Sequence, residues 1–320
     1  MRIVVLDGYT MNPGDLSWDG LSALGELELY DRSNPEEIPR RSREAEILIT
    51  NKAPLLASTL QELPELRFIA VTATGVNVVD LDQARKQSIV VSNVPAYSTD
   101  SVAQFTIALL LNLASRIGQH ARAVERGAWT RCPDFCFWED PLVELAGRTL
   151  GVVGFGEIGR RVGQVANALG MEVLAAVRPG SQPQPPSWSP FSWCEVDDLF
   201  ARADVVTLHC PLTPDTEGLV DARRLALMKP DALLLNTARG PLVDESALAQ
   251  ALRRGQIAGA GLDVVLREPI LADNPLLDAP NCIVTPHIAW ATFESRKRLM
   301  EATEENVRAF LDGSPIHVVG

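Results

Sequence analysis

The chain has 320 residues, 46% of them hydrophobic and 22% charged, which supports two domains at roughly 150 residues each and excludes a disordered tail. Lys and Arg number 29 against 41 Asp and Glu, a net charge of −12 that repels phosphate backbones and anionic lipid, so neither nucleic acid nor a membrane is an expected partner. No apolar run reaches the roughly 18 residues that cross a bilayer, and residues 1–7 meet a charge too early for a signal peptide, so a cytoplasmic location is expected.

In chain order, short β-branched runs fall at 3–6, 27–30, 47–50, 68–72 and 89–92, separated by segments long enough for helices. That alternation predicts a parallel α/β sheet. Residues 101–117 (SVAQFTIALLLNLASRI) are apolar over too much of a helix's circumference for a surface helix. Capped by Thr99 or Asp100, they read equally as an inter-domain core helix or a subunit interface. A second series of strands follows at 149–153, 172–177, 205–209, 233–236 and 258–262, with helices over 157–169 and 244–253, so two α/β units stand in tandem. The Pro-rich stretch 179–190 is a loop, and 294–308 is the solvated face of a terminal helix. The cysteines Cys132, Cys136, Cys194, Cys210 and Cys282 are odd in number, with one near pair and no zinc spacing. They read as reduced thiols, and no metal is expected.

Gly154-Phe155-Gly156-Glu157-Ile158-Gly159 is a GxGxxG pattern, weak alone. Here it follows an apolar strand and opens a helix, the setting in which helix N-terminal amides face a dinucleotide pyrophosphate. An NAD site usually places an acid about 20 residues further on, for the ribose 2′-OH. Val177 stands there instead, followed by Arg178, whose guanidinium suits a 2′-phosphate. NADP(H) use, or loose discrimination from NAD(H), is therefore expected.

Three residues further along suit proton and carboxylate chemistry. Arg239, past a strand's carboxyl end, can grip an α-keto acid's carboxylate; a rim salt bridge with Asp244 or Glu245 is the bland alternative. His287 ends an apolar run, and Glu268 can hydrogen-bond one of its ring nitrogens and favour the imidazolium. His209, with Cys210 and Pro211, ends a strand at the cofactor edge and is expected to contact the cofactor through backbone. His120 and His317 have no comparable setting.

These residues belong to longer motifs: Gly151-Val-Val-Gly154-Phe-Gly156-Glu-Ile-Gly159, Asn236-Thr-Ala-Arg239-Gly240-Pro-Leu-Val-Asp244-Glu245, Gly261-Leu-Asp263-Val264 leading to Glu268-Pro269, and Thr285-Pro286-His287-Ile288. Together they make the chain resemble the D-isomer-specific 2-hydroxyacid dehydrogenases over essentially its whole length. The opening Val5-Leu6-Asp7-Gly8-Tyr9-Thr10 and residues 73–80 look most like the bacterial glycerate dehydrogenases, or hydroxypyruvate reductases.

The resemblance implies two Rossmann-like parallel-sheet domains: a cofactor domain, 100–287, inserted into a flavodoxin-like substrate domain, 1–99 with 288–320. It implies a homodimer through the 101–145 region, with Trp138 reaching the neighbouring active site. It also implies reversible hydride transfer between NAD(P)H and a small 2-keto acid such as hydroxypyruvate or glyoxylate. Arg239 would bind the carboxylate, His287 would be the general acid and base, and Glu268 would hold the imidazole charged. Lys52 and the amides at Thr74, Gly75 and Val76 would complete the substrate site, with Trp138 and Trp290 limiting its size. Asp263 would position the nicotinamide carboxamide, and Cys210, Thr237, Ala238 and Ala289 would line the cofactor cleft. Two alternatives stay open: a formate dehydrogenase-like enzyme, which would carry Gln where Glu268 stands, and a nicotinamide-sensing regulator like the C-terminal-binding-protein corepressors.

Overall fold

Short apolar runs, with one alternating segment at β2, assemble into β1 (Arg2–Val5), β2 (Glu26–Leu29), β3 (Ile47–Thr50), β4 (Phe68–Val71) and β5 (Val90–Ser92). They form a parallel sheet in the order β2-β1-β3-β4-β5. β3 and β4 are buried at every position, as parallel strands covered on both faces must be. The structure, a computed structural model, describes residues 1–177, 180 and 183–320. It divides into two units: Met1–Ser98 with Ala291–Gly320, and Thr99–Trp290.

The last stretch returns to the first unit through the helix Phe293–Leu311, capped by Thr292, whose hydroxyl accepts from Ser295 N–H. Phe310 stacks on Phe68 with ring centroids 4.5 Å apart. The Arg296 guanidinium, almost fully buried, pairs with Asp15 at 2.6 Å and holds that carboxyl below its ordinary range.

The second unit contains β6 (Thr149–Val153), β7 (Glu172–Ala176), β8 (Phe191–Cys194), β9 (Val205–Leu208), β10 (Leu233–Asn236), β11 (Gly259–Leu262) and β12 (Cys282–Val284). All pair in parallel, in the order β12-β11-β10-β9-β6-β7-β8. The order reverses between β6 and β9, the switch point where open α/β sheets bind ligands beyond their carboxyl ends. Leu109 and Leu110 of the helix Thr99–Ser115 share a core with Leu233 and Leu235.

Several expectations need correction. The helix begins at Thr99, two residues before the expected start. It stops at Ser115 because Arg116 turns left-handed, with φ 49°, before a second helix, Ile117–Glu125. β8 was not foreseen. The second unit also takes in Thr99 and residues 288–290, because Ala289 is held there by its N–H to Asp263 and its carbonyl to the Ser101 hydroxyl. Among the described residues no single helix is long and apolar enough to cross a membrane.

Candidate active site

β6 leads into Gly154, whose φ of +95° suits glycine and strains other residues. A Cβ there would lie 2.4 Å from the Cys210 amide nitrogen and 2.5 Å from the His209 carbonyl carbon, so this turn lies directly against the chain leaving β9. Gly156 caps the helix Glu157–Ala168, and among the described residues beyond its chain neighbours no atom lies within 4 Å of the place its Cβ would take. Arg160 N–H donates to Gly156 O at 2.9 Å, so the amides of Glu157, Ile158 and Gly159 precede the first helical bond and face out of the helix end. An open backbone approach beside those amides fits a pyrophosphate. Phe155 belongs to this turn through its backbone alone, since its ring packs on Phe191 and Trp193 with centroids 5.0 and 5.3 Å away.

Beside the turn, His209 N–H donates to Val153 O at 2.7 Å, and its Nε2 lies 2.9 Å from the buried Thr207 hydroxyl. Desolvation pushes the imidazole down to about 3 and the Cys210 thiol up to about 11. Both are neutral at physiological pH and shape the cleft without acid–base chemistry. Pro211 O accepts from the Thr216 hydroxyl at 2.7 Å. Val177 is half-buried, its N–H bonded to Cys194 O at 3.0 Å. Arg178, the expected 2′-phosphate partner, lies outside the described residues.

β10, β11 and β12 are neighbours, so residues just past their carboxyl ends share one edge of the sheet. Arg239 follows β10, Asp263 and Glu268 follow β11, and His287 follows β12. Glu268 Oε2 is 2.7 Å from His287 Nδ1, with the side chains 34% and 26% exposed. With Nδ1 engaged, Nε2 is the nitrogen left to exchange a proton with a ligand. The His287 backbone is left-handed, φ 55°. Its N–H donates to Asp263 O at 2.8 Å and Thr285 O at 3.0 Å, and its carbonyl accepts from the Trp290 indole at 3.0 Å. Asp263, 1% exposed, accepts from the Thr285 hydroxyl at 2.7 Å, Ile288 N–H at 2.9 Å and Ala289 N–H at 2.7 Å. The carboxylate expected at the nicotinamide thus also braces the histidine loop.

Arg239 is exposed, and its Nη1 donates to Ala238 O at 2.7 Å. Asp244 caps the helix Glu245–Arg253 by accepting from Ala247 N–H, and Glu245 accepts from Leu266 N–H, so the salt bridge weighed from the sequence is not what these carboxylates do. The turn bearing Arg239 is shaped by Asn236, which donates to Arg239 O at 2.8 Å and accepts from Ala238 N–H at 3.0 Å. The Thr237 hydroxyl lies 2.9 Å from that of Thr106, which leaves its main chain for a ligand.

In the first unit, Lys52 follows β3, while Thr74, Gly75 and Val76 follow its neighbour β4. Asp7, past β1, accepts from the backbone N–H groups of Asn51 at 2.8 Å, Lys52 at 2.5 Å and Ala53 at 2.8 Å. Asn51 in turn donates to Thr72 O at 2.6 Å. Asp7 and Asn236 lie in motifs visible in the sequence, but a single polar residue at or just past a strand end has no periodicity to mark these hydrogen-bonding roles. Trp138 is 65% exposed. Among the described residues no group of three or more His, Cys, Asp or Glu is placed to hold a metal ion.

A pyrophosphate turn at the switch point and a histidine–carboxylate pair on the same sheet edge define a nicotinamide-dependent dehydrogenase. Comparison with known proteins narrows the class. Residues 107–289 match the family model "D-isomer specific 2-hydroxyacid dehydrogenase, NAD binding domain". A hydroxypyruvate reductase from Blautia hydrogenotrophica is 49% identical, covering 100% of this chain and 99% of that protein. A glycerate dehydrogenase from Methylorubrum extorquens is 44% identical over 89% of this chain and 88% of its own length. Among solved structures, an NADPH-dependent glyoxylate/hydroxypyruvate reductase from Sinorhizobium meliloti, in complex with NADP and malonate, is 29% identical with a TM-score of 0.84, covering 100% of this chain and 96% of that chain. The chain belongs to the D-isomer-specific 2-hydroxyacid dehydrogenase family, NAD(P)-dependent oxidoreductases acting on CH–OH groups.

Proposed function

We propose that this enzyme reduces hydroxypyruvate and glyoxylate to D-glycerate and glycolate. The observation that carries this is the 2.7 Å contact between His287 Nδ1 and Glu268 Oε2, which aims a protonatable Nε2 away from its partner and beyond the sheet edge. A reduced nicotinamide, when bound, supplies the hydride. Arg239 binds the substrate carboxylate with its planar fork. The family resemblance adds Lys52 and the amides of Thr74, Gly75 and Val76 of the other unit as substrate-binding groups, with Trp138 and Trp290 limiting the size of the substrate. His287 Nε2 gives its proton to the carbonyl oxygen as negative charge develops there, and Glu268 stabilises the imidazolium that must be present beforehand. In the reverse direction the neutral ring takes the proton back. Glu268 supplies an acceptor that formate oxidation does not need.

In this reading the unit Thr99–Trp290 binds the cofactor, and the other unit, Met1–Ser98 with Ala291–Gly320, binds substrate. Val177 offers no carboxylate to repel a 2′-phosphate, so NADPH is accepted alongside or ahead of NADH. The enzyme works as a homodimer joined through residues 101–145, where Ile117, Trp129, Phe135, Trp138 and Leu142 are all exposed and supply the large apolar side chains that an interface covers. All the cysteines are free, in keeping with the reducing cytoplasm.

A panel of keto acids assayed in parallel with NADH and NADPH tests the proposal. Efficient turnover of hydroxypyruvate and glyoxylate is expected. Tight cofactor binding with negligible turnover of every acid would make the protein a nicotinamide sensor, and a strong preference for NADH would remove the 2′-phosphate reading.

A further inference from the structure

Glu268 stands in a loop, 264–274, that has no regular secondary structure apart from turns and bends. At its start, a Cβ on Gly240 would lie 1.9 Å from Val265 O, so the backbone just after Arg239 presses on the loop. Farther along, the loop borders a pocket of about 450 Å³ lined by Glu217, Ser246, Leu266, Leu271 and Asn274. Leu266, on that wall, is 61% exposed. One side chain reaches both sides of the pocket. Glu245, in the first turn of the helix Glu245–Arg253, accepts from Leu266 N–H through Oε1 at 2.5 Å and from the Asn274 side-chain amide through Oε2 at 2.8 Å. It therefore holds both arms of the loop, before and after Glu268.

We propose that Glu245 is a positioning residue that fixes the Glu268 loop so that the carboxylate stays on His287 Nδ1, an inference that rests on the acid–base pair proposed above. Charge-assisted bonds to both arms restrict the loop more than a neutral acceptor could. Without them Glu268 samples other orientations, the imidazolium loses stabilisation, and the pH range in which reduction runs contracts from its alkaline side.

The experiment is the pH dependence of kcat/KM for hydroxypyruvate reduction in wild type, E245Q, N274A and E268Q. The charged groups on the elements around the pair are Arg239, Asp244, Asp263, Arg267 and Asp273, and all these variants keep them. E245Q removes a charge as well as a tie, and N274A removes a tie at constant charge together with the bond that Leu276 N–H gives Asn274 Oδ1 at 3.0 Å, so the role stands only if both variants change alike and falls if only one does. Both are expected to lower kcat/KM for reduction by about 3- to 10-fold at alkaline pH and by less at neutral pH, and E268Q by more. The dissociation constant for the cofactor and the thermal midpoint should stay near wild type. Unchanged profiles in E245Q and N274A beside a changed E268Q would overturn the role of Glu245 while leaving the acid–base pair intact. An unchanged E268Q would remove the pair itself, and this inference with it.

Discussion

His287 keeps a left-handed backbone, which costs a β-carbon residue about 1–2 kcal/mol, because hydrogen bonds to Asp263 O, Thr285 O and the Trp290 indole hold it there. The strain fixes the direction of its ring, so the side chain is expected to act in the reaction more than in folding. His287→Ala should lower kcat for reduction about 10²–10⁴-fold with cofactor affinity unchanged, measured by steady-state assay and fluorescence titration. Reduction uses the imidazolium and should slow toward alkaline pH, while oxidation uses the neutral ring and should slow toward acid. Parallel profiles in the two directions would contradict the assignment. His209 makes a different prediction. Its folded-state value of about 3 lies below the ordinary ~6.5 of an unfolded histidine, so below pH ~6.5 the unfolded chain binds the extra proton. This contribution leaves stability unchanged above that pH and erodes it as pH falls toward about 3. His209→Gln should therefore lose less stability than wild type between pH 7 and 4.5, compared by urea midpoints; equal losses would show that this ring does not carry the effect. Arg239, Glu268 and His287 were legible in the sequence because each sits in a motif at a strand end. The work of Asp7 and Glu245 was not, because it consists of hydrogen bonds to groups that become adjacent only on folding, and Asn236 shapes its turn through short-range bonds that no residue pattern marks.

At the scale of elements, the strand-turn-helix at 149–168 divides its glycines by task. Gly154 is confined by backbone on all sides that matter, whereas Gly156 faces open space. Gly154→Ala should lower the thermal midpoint markedly, since the added Cβ would meet the Cys210 amide nitrogen at 2.4 Å and the positive φ disfavours it. Gly156→Ala should leave the midpoint within about 2 °C and weaken cofactor binding roughly tenfold or more by crowding the pyrophosphate's approach. Melting curves and cofactor titrations separate the two, and a Gly156→Ala protein with full affinity would move the pyrophosphate elsewhere. The strands beginning at residues 47, 149 and 233 were plain from their β-branched or leucine runs. β8 was not, because Phe191–Cys194 follows a Pro-rich loop and all its residues are half-buried, which removes the contrast that marks a strand. The stop of the helix at Ser115 was equally hidden. Ile117 resumes the apolar pattern after a single charged residue, and only the left-handed backbone of Arg116, whose side chain bonds to Asp140 and Asn281 at 3.0 Å each, breaks the helix.

For the whole molecule, the exposed aromatics of the 129–138 stretch predict association. Light scattering should return twice the monomer mass, and Phe135→Asp with Trp138→Asp should shift it toward the monomer while each unit stays folded. A wild-type monomer at micromolar concentration would remove the homodimer and, with it, any reach of Trp138 into a neighbouring site. The sequence alone determined the α/β class, the tandem of two parallel sheets and the dinucleotide turn, and it marked the residues proposed as the acid–base pair, because these are written in local periodicity and in residue types at fixed short spacing. Only the tertiary structure decided that Arg239, Glu268 and His287 follow three adjacent strands, that Glu268 meets Nδ1, and that Glu245 ties the loop between them. Strand order in a parallel sheet is set by packing between segments tens of residues apart, and no local pattern carries that information.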